Sequence, residues 1–408
     1  MRKNSGIIEM IDIMRKCVLT CILIFSVLLP AAASAINVHG RSLNILFTGG
    51  LDGELEPCGC SPKTDFGGLA RISGYISANR KNLSPYLLID AGNFSGKDTP
   101  QGRLKAETLL QSFSAMKYDV IALQKNEADF TGNFISSLIE KYKIPAVSNS
   151  NHYKLSISKA KFTLNVHVSA DPVDIEENQF NILLTDLPLS ECKEMRGWDV
   201  IINSSGEILE EPFSLNDTII VTGYPKGKKL GILTLHIGAN GKTTGFEHRW
   251  QPLGTDIKED KKIRQILNEY DARVAALLKE TESPPKETSY LGITTCAKCH
   301  QLFVDIWNKT EHARALSSLQ KTGKASDPEC LVCHTVGFGE DGGFQSMTAT
   351  PGLANVQCEA CHGAGRDHLT DYYRPMGHVA EAVCNKCHTK DKSPDFNYKD
   401  YLEKIKHW

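Results

Sequence analysis

The chain has 408 residues, 41% hydrophobic and 23% charged, with a formal net charge of -2. That length suits two domains of ordinary size, and the composition is that of a globular protein. The balance of charge argues against a strongly basic nucleic-acid binder and against an acidic solvating tail. The cysteines are the anomaly: there are thirteen, and eight of them crowd into residues 296–387.

The N-terminus reads as an export signal. Met14-Arg15-Lys16 is a basic start, Cys17–Leu29 an apolar run, and Ala33-Ser34-Ala35 a small-residue cleavage site. Residues 1–35 are therefore predicted to be a signal peptide, with 1–13 as an upstream extension. An uncleaved anchor is the competing reading, but the apolar run is short for a bilayer. The mature protein is expected in the periplasm or at the cell exterior.

Residues 42–252 have an α/β texture. Leu43–Phe47, Tyr86–Ile89, Val120–Leu123, Ala146–Val147, Phe180–Leu184, Val200–Ile202, Ile219–Val221 and Leu230–Ile237 are short apolar runs between turn signals, predicted to be strands. Ala106–Met116 and Asn133–Lys141 read as helices. Residues 253–289 read as a helix and linker. Ile263, Ile266, Leu267, Tyr270, Val274 and Leu277 fall at helical spacing, and Ser283-Pro284-Pro285 then breaks the helix.

From 290 to 408 strand-like runs vanish, and too little apolar sequence remains for an ordinary core. The motif C-x-x-C-H occurs four times there: Cys296, Cys299 and His300; Cys330, Cys333 and His334; Cys358, Cys361 and His362; Cys384, Cys387 and His388. This is the signature of c-type heme attachment. Two thiols three positions apart reach the two vinyl groups of one porphyrin, and the adjacent imidazole comes under the ring to the iron. Zinc half-sites, redox dithiols and a disulfide framework compete for any single motif. Four repeats that use every cysteine of the region favour four covalent heme c groups, which would also supply the missing core.

A second axial histidine makes heme iron an electron carrier, and an open position permits ligand chemistry. Besides the four motif histidines the region holds His312, His368, His378 and His407. Four spare histidines for four irons predict bis-histidine coordination throughout. Met347 and Met376 are weaker candidates.

The stretches CAKCH with FVDIWNKTEHARA, DPECLVCHTVGFG, TPGLANVQCEACHGAGRDH, and VCNKCHTKDKSPDF with a closing IKHW cover the whole C-terminal region. They resemble the tetraheme cytochrome c family typified by the electron acceptor of hydroxylamine oxidation. The resemblance implies that His312 and His368 are distal ligands, His312 for a heme other than its neighbour. It also implies that the second heme can be five-coordinate, with His407 or His378 as the residue to fill it.

In the N-terminal half LNILFTGGLDGELEPC, GGLARI, LLIDAGNFSG and YDVIALQKNEADF with IPAVSNS are similar to the metallophosphoesterase domain of periplasmic 5'-nucleotidases and UDP-sugar hydrolases. That implies an α/β/β/α sandwich, and with the C-terminal region a two-domain protein whose second part is a mainly helical and irregular multiheme cytochrome c. Such hydrolases activate water between two metals held by carboxylates and histidines. At the corresponding positions this chain has Gly50 and Asp52, then Asn93 for the bridging aspartate, then the retained Asn126 followed by Glu127 in place of a histidine, then Asn203-Ser204-Ser205 where a histidine pair should stand. Phosphoesterase activity is therefore expected to be lost.

Cys58-Gly59-Cys60 has no place in that pattern. Metal binding, a bond to Cys192 and a closed local loop are the alternatives, with a disulfide to Cys192 favoured because an odd exported thiol tends to find a partner. The combined expectation is an extracytoplasmic tetraheme cytochrome that moves electrons between redox partner proteins and is not an enzyme. A heme enzyme acting on a small nitrogen compound and a subunit of a conductive filament are the alternatives. Peripheral membrane association and self-assembly through the heme region stay open.

Overall fold

Strand β1 (Arg41–Thr48) displays the logic of the N-terminal domain. Leu43, Ile45 and Phe47 enter one core and Leu46 another, all fully buried. A strand covered on both faces needs apolar side chains at successive positions. The computed structural model describes residues 41–407 apart from 150–153, 160–161, 169–174, 176–178, 239–240 and 283–288. The predicted signal peptide and the Ser283-Pro284-Pro285 break lie outside the described residues.

Helix α1 (Leu69–Leu83), β2 (Tyr86–Asp90), α2 (Pro100–Met116), β3 (Val120–Leu123), α3 (Lys125–Ala128), α4 (Phe134–Tyr142) and β4 (Ala146–Ser148) follow, and β1 to β4 pair in parallel. A second sheet is built from β5 (Lys154–Lys159), β6 (Phe162–His167), β7 (Phe180–Thr185), β8 (Val200–Asn203), β9 (Phe213–Leu215) and β10 (Thr218–Thr222), with the short α5 (Leu189–Cys192) on its outer side. Its order is β5-β6-β7-β8-β10-β9. Strands β11 (Lys229–Ile237) and β12 (Thr243–Pro252) return to the first sheet, giving β12-β11-β1-β2-β3-β4.

The sheets pack face to face, with Ile45, Phe47, Leu87 and Ile89 against Val166, Ile182, Leu184 and Ile202. Helices α1, α2 and α6 (Lys261–Glu280) cover the outer face of the first sheet. Cys192, Leu189 and Trp198 cover that of the second. The result is an α/β/β/α sandwich. The eight predicted strands are present, Val120–Leu123 with the same bounds and the other seven extended by one to three residues. Strands β5, β6, β9 and β12 escaped the sequence reading; β5, β9 and β12 are sheet edges, where half-exposed polar positions blur the apolar pattern, and β6 lies inside its sheet but carries Thr163, Asn165 and His167.

Helix α6 starts at Asp260, whose side chain accepts from the backbone N–H of Lys262 and Ile263. Ile263, Ile266, Leu267, Tyr270 and Val274 pack into the sandwich core. One turn further, Leu278 packs with Leu316, Leu331 and Phe344 of the C-terminal region. The helix is thus a shared wall between the two halves rather than a spacer. Each such buried side chain contributes roughly 1.5–3 kcal/mol.

The C-terminal region is helical and irregular: α7 (Ile293–Trp307), α8 (Ala315–Thr322), α9 (Pro328–His334), α10 (Cys358–His362), α11 (Arg366–Thr370), α12 (Glu381–Cys384) and α13 (Tyr398–Ile405). Its buried apolar side chains are few, chiefly Val304, Leu316, Leu319, Leu331, Val336, Phe344 and Leu353. Meanwhile Leu302, Phe303 and Ile306 are exposed on α7. Among the described residues no helix is long and apolar enough to cross a membrane.

Candidate heme centres and the cleft of the sandwich

Each C-x-x-C-H motif sits on or at the end of a short helix. Cys358–His362 is all of α10, and Cys330–His334 closes α9. Cys296–His300 lies within α7, where His300 breaks the helical backbone at φ -118° and ψ 35°. Cys384 ends α12, and Cys387 and His388 follow in a turn. Helical spacing puts residues three apart on one face, as two thioethers to one ring require.

Three spare histidines stand opposite motif histidines. Ring centres are 6.2 Å apart for His300 and His368, 6.2 Å for His312 and His388, and 6.1 Å for His362 and His407. Two imidazoles on opposite sides of one metal, with metal–nitrogen bonds of about 2.0 Å, have ring centres about 6.3 Å apart. The interplanar angles run from 27° to 84°, which axial ligation tolerates because rotation about the metal–nitrogen axis is soft. The residues fit the group.

The far nitrogens support the same geometry. Nδ1 of His334 bonds Ala315 O at 2.7 Å, that of His362 bonds Gly377 O at 3.1 Å, that of His368 bonds Arg374 O at 2.8 Å, and that of His407 bonds Ile405 O at 2.9 Å. A carbonyl only accepts, so Nδ1 carries the hydrogen and Nε2 of the neutral ring keeps its lone pair for a metal. The Nδ1 of His388 meets Ser393 Oγ at 3.2 Å. Burial, with His388 and His334 nearby, holds His312 below the usual histidine range, and burial does the same for His388. Both shifts favour the neutral, ligating ring.

The motifs are grouped in space. The Cys296 and Cys358 thiols are near neighbours, as are those of Cys333 and Cys387. The first site therefore adjoins the third, and the second adjoins the fourth. Glu359, inside the third motif, was not singled out from the sequence. Its buried carboxylate accepts from the N–H groups of Leu291, Gly292 and Gly365, tying the start of α7 to α10. A glutamate at a variable motif position carries no signal of such a role.

One expectation changes. Of the four spare histidines, three stand 6.1–6.2 Å from a motif histidine and His378 does not. His378 is exposed, and among the described residues no imidazole faces His334 at ligand spacing. The reason is local: Gly377 N–H donates to His362 O, and Gly377 O accepts from the His362 ring. These bonds hold residue 377 beside the back of the His362 ring, which keeps His378 from crossing to another site. His407 faces His362, not His334.

The sandwich has its own cleft where β1, β2, β3 and β8 end. The sheets approach closely: a Cβ on Gly223 would lie 2.5 Å from Gly49 O. Asn126 Nδ2 donates to Asp52 Oδ1 at 3.1 Å and to Ser95 O at 2.8 Å. Asn93, at φ 52°, accepts from Asn126 N–H at 3.0 Å and donates to Ser204 O at 3.2 Å. Glu127 accepts from Ser95 N, Ser95 Oγ, Asn93 N and Gln124 N at 2.7–3.0 Å. Burial pushes the Glu127 carboxyl up despite these bonds, and burial also raises Asp52. Ser204 Oγ donates to Ala91 O at 3.0 Å. The polar groups in the places of a dimetal centre are committed to one another, and two of them are amides. They do not fit a pair of divalent metals.

The favoured bond to Cys192 is not made. Cys192 is fully buried under the second sheet, where Asn203 Nδ2 donates to its sulfur at 3.4 Å. Cys58 and Cys60 are bonded to each other, with Cα atoms 5.2 Å apart, and both are exposed.

Residues 295–363 match the family model described as cytochrome c554 and c-prime. Cytochrome c-554 of Nitrosomonas europaea is 30% identical over 141 residues, a match covering 30% of this chain and 60% of that protein. A 5'-nucleotidase precursor from Thermus thermophilus superposes with a TM-score of 0.52 at 16% identity, over 69% of this chain and 68% of its own. The sulfate thiohydrolase of Thermus thermophilus gives 0.47 at 14% identity, over 57% of this chain and 60% of its own. The C-terminal region is thus similar in sequence to c-type cytochromes of the c554 and c-prime family, and the N-terminal domain has the fold of 5'-nucleotidases.

Proposed function

We propose that the chain is an extracytoplasmic c-type cytochrome that carries four covalent heme c groups and passes electrons between redox partner proteins. The observation that carries this reading is the set of three imidazole pairs 6.1–6.2 Å apart, each joining a C-x-x-C-H histidine to a distant one. When bound, heme supplies a one-electron iron couple. The chain's own residues do the rest. Cys296, Cys299, Cys330, Cys333, Cys358, Cys361, Cys384 and Cys387 would anchor the rings. His300, His334, His362 and His388 would hold each iron from the motif side. His368, His312 and His407 would hold it from the facing side at three sites, which would leave a small ligand no open position there. Exposed Leu302, Phe303 and Ile306 offer apolar surface for a porphyrin face.

A second reading concerns the second site alone. His334 lacks a facing imidazole among the described residues, so a small ligand such as nitric oxide has a place to bind, and reduction of a small nitrogen compound is the activity that would follow. The sandwich domain acts in this scheme as a scaffold without phosphoesterase activity, its cleft closed by Asn93, Asn126 and Glu127. Mass spectrometry of the mature protein tests the proposal: the polypeptide after residue 35 plus four hemes supports it, and the unmodified mass sinks it. Low-temperature magnetic resonance then counts high-spin iron. One such signal keeps the second reading, and none removes it.

A further inference from the structure

The loop that carries Cys58-Gly59-Cys60 is held against the C-terminal region on both sides. Before it, the Glu56 carboxylate is bonded by Lys324 at 2.7 Å and by Arg264. After it, Lys63 pairs with Asp395 at 2.8 Å. Beside it, Lys226 and Lys228 both pair with Asp391. The loop therefore closes one side of a cleft between the two halves, and that cleft is lined by Cys58 and by Cys330, the first cysteine of the second motif. Lys392 also lines it and reaches Cys333, the other cysteine of that motif.

The Cys58–Cys60 bond is poorly suited to a structural role. It spans two positions in sequence, and stabilisation by cross-linking grows with the length of the loop closed, so the shortest loops gain least. Both cysteines are exposed. Exposed disulfides are the ones thiolates attack readily, and they tend to be catalytic or regulatory. Among the described residues of the sandwich nothing else uses the pair: the cleft of Asn93, Asn126 and Glu127 is filled by its own hydrogen bonds, and Cys192 is buried elsewhere.

We infer that Cys58 and Cys60 form a redox-active disulfide that feeds electrons from an external thiol into the heme chain at the second site. The inference rests on the heme reading above. In the first step the disulfide takes two electrons and two protons from a dithiol, or from two thiols, by thiol–disulfide exchange. The donor leaves as a disulfide. In the second step the Cys58–Cys60 bond re-forms. Its two electrons leave one at a time to two ferric hemes, and its two protons go to solvent, which the exposed pair reaches directly. The sum is two thiols and two ferric irons giving one disulfide, two ferrous irons and two protons.

The test uses the full-length holoprotein and the Cys58→Ser/Cys60→Ser double variant, with heme content first measured in both by optical spectrum and mass. Absence of heme would defeat the reading on which the inference rests, whereas heme present without transfer would defeat the inference alone. Ferric protein under argon receives one equivalent per chain of a trialkylphosphine, which opens disulfides. The expected result is growth of the ferrous α band by about two hemes per chain, with Cys58 and Cys60 protected from iodoacetamide afterwards because they are again bonded. The double variant should gain ferrous heme at under about one-tenth of that rate. Wild-type protein alkylated at both cysteines while reduced should behave like the variant. Two results overturn the inference: both thiols persist and are alkylated while the hemes stay ferric, or the variant is reduced as fast as the wild type.

Discussion

Replacing His407 by alanine is the most direct test of the axial geometry. The ring of His407 stands 6.1 Å from that of His362 and 5.9 Å from Phe303. Its removal leaves the His362 site without a sixth ligand and also loses an aromatic contact. With three facing pairs among four motifs, about three quarters of the iron should be low-spin in the wild type and about one half in the variant. The assay is integrated low-temperature magnetic resonance on ferric protein, normalised to total heme. His378→Ala is the control, because its exposed ring faces no motif histidine, and it should leave the low-spin fraction unchanged. His407→Met separates ligation from packing: a thioether that restores low-spin iron at a changed potential identifies the position as axial. The reasoning is refuted if His378→Ala lowers the low-spin fraction and His407→Ala does not.

Further predictions concern the sandwich and its junction with the heme region. Glu127→Ala removes the acceptor of three buried backbone N–H groups, at roughly 1 kcal/mol or more each, so urea unfolding should show a loss of about 3 kcal/mol or more; Glu127→Gln, which keeps an acceptor oxygen, should lose less. Asp90 is pushed by burial to about 7 from the ordinary 3.8. The folded state thus holds this proton more tightly than the unfolded one, and its stabilisation is complete below about pH 4 and lost as pH rises through 7, by at most about 4 kcal/mol. Asp90→Asn should therefore gain thermal stability relative to wild type as pH is raised from 5 to 8. For Glu56, burial raises the carboxyl but Lys324 and Arg264 outweigh it, so the group lies below its ordinary value. Its contribution is present above pH 4.5 and lost as pH falls through the lowered value. Glu56→Gln should loosen the loop at Cys58, read as faster proteolysis there at pH 7 than at pH 3.5 when each is compared with wild type.

Much of the sandwich was legible because buried parallel strands announce themselves: Leu43–Phe47, Val120–Leu123 and Val200–Ile202 are apolar at successive positions and bounded by turns. Edge strands are not so marked. Strand β12 carries Glu247, His248, Arg249 and Gln251, and its pairing to β11 is made by backbone groups that any sequence possesses. The cysteine readings divide the same way. The C-x-x-C-H repeats are local, so their spacing alone identifies them. The partner of Cys58 is a matter of where the chain returns in space, and the burial of Cys192 under β8 removes the pairing that thiol counting favoured.

The departure from a dimetal hydrolase pattern could be read from residue types, since Asn93 stands where the pattern has an aspartate and Glu127 where it has a histidine. How those residues satisfy one another was beyond reach, because Glu127 meets Ser95 and Asn126 meets Asp52 across separate strand ends. The sequence by itself determined which cysteines and histidines can hold heme, because thioether attachment needs only adjacent residues on one helical turn. Tertiary structure alone decided which distant imidazoles face His300, His362 and His388, since that depends on loops whose course is set by long-range bonds such as Gly377 to His362.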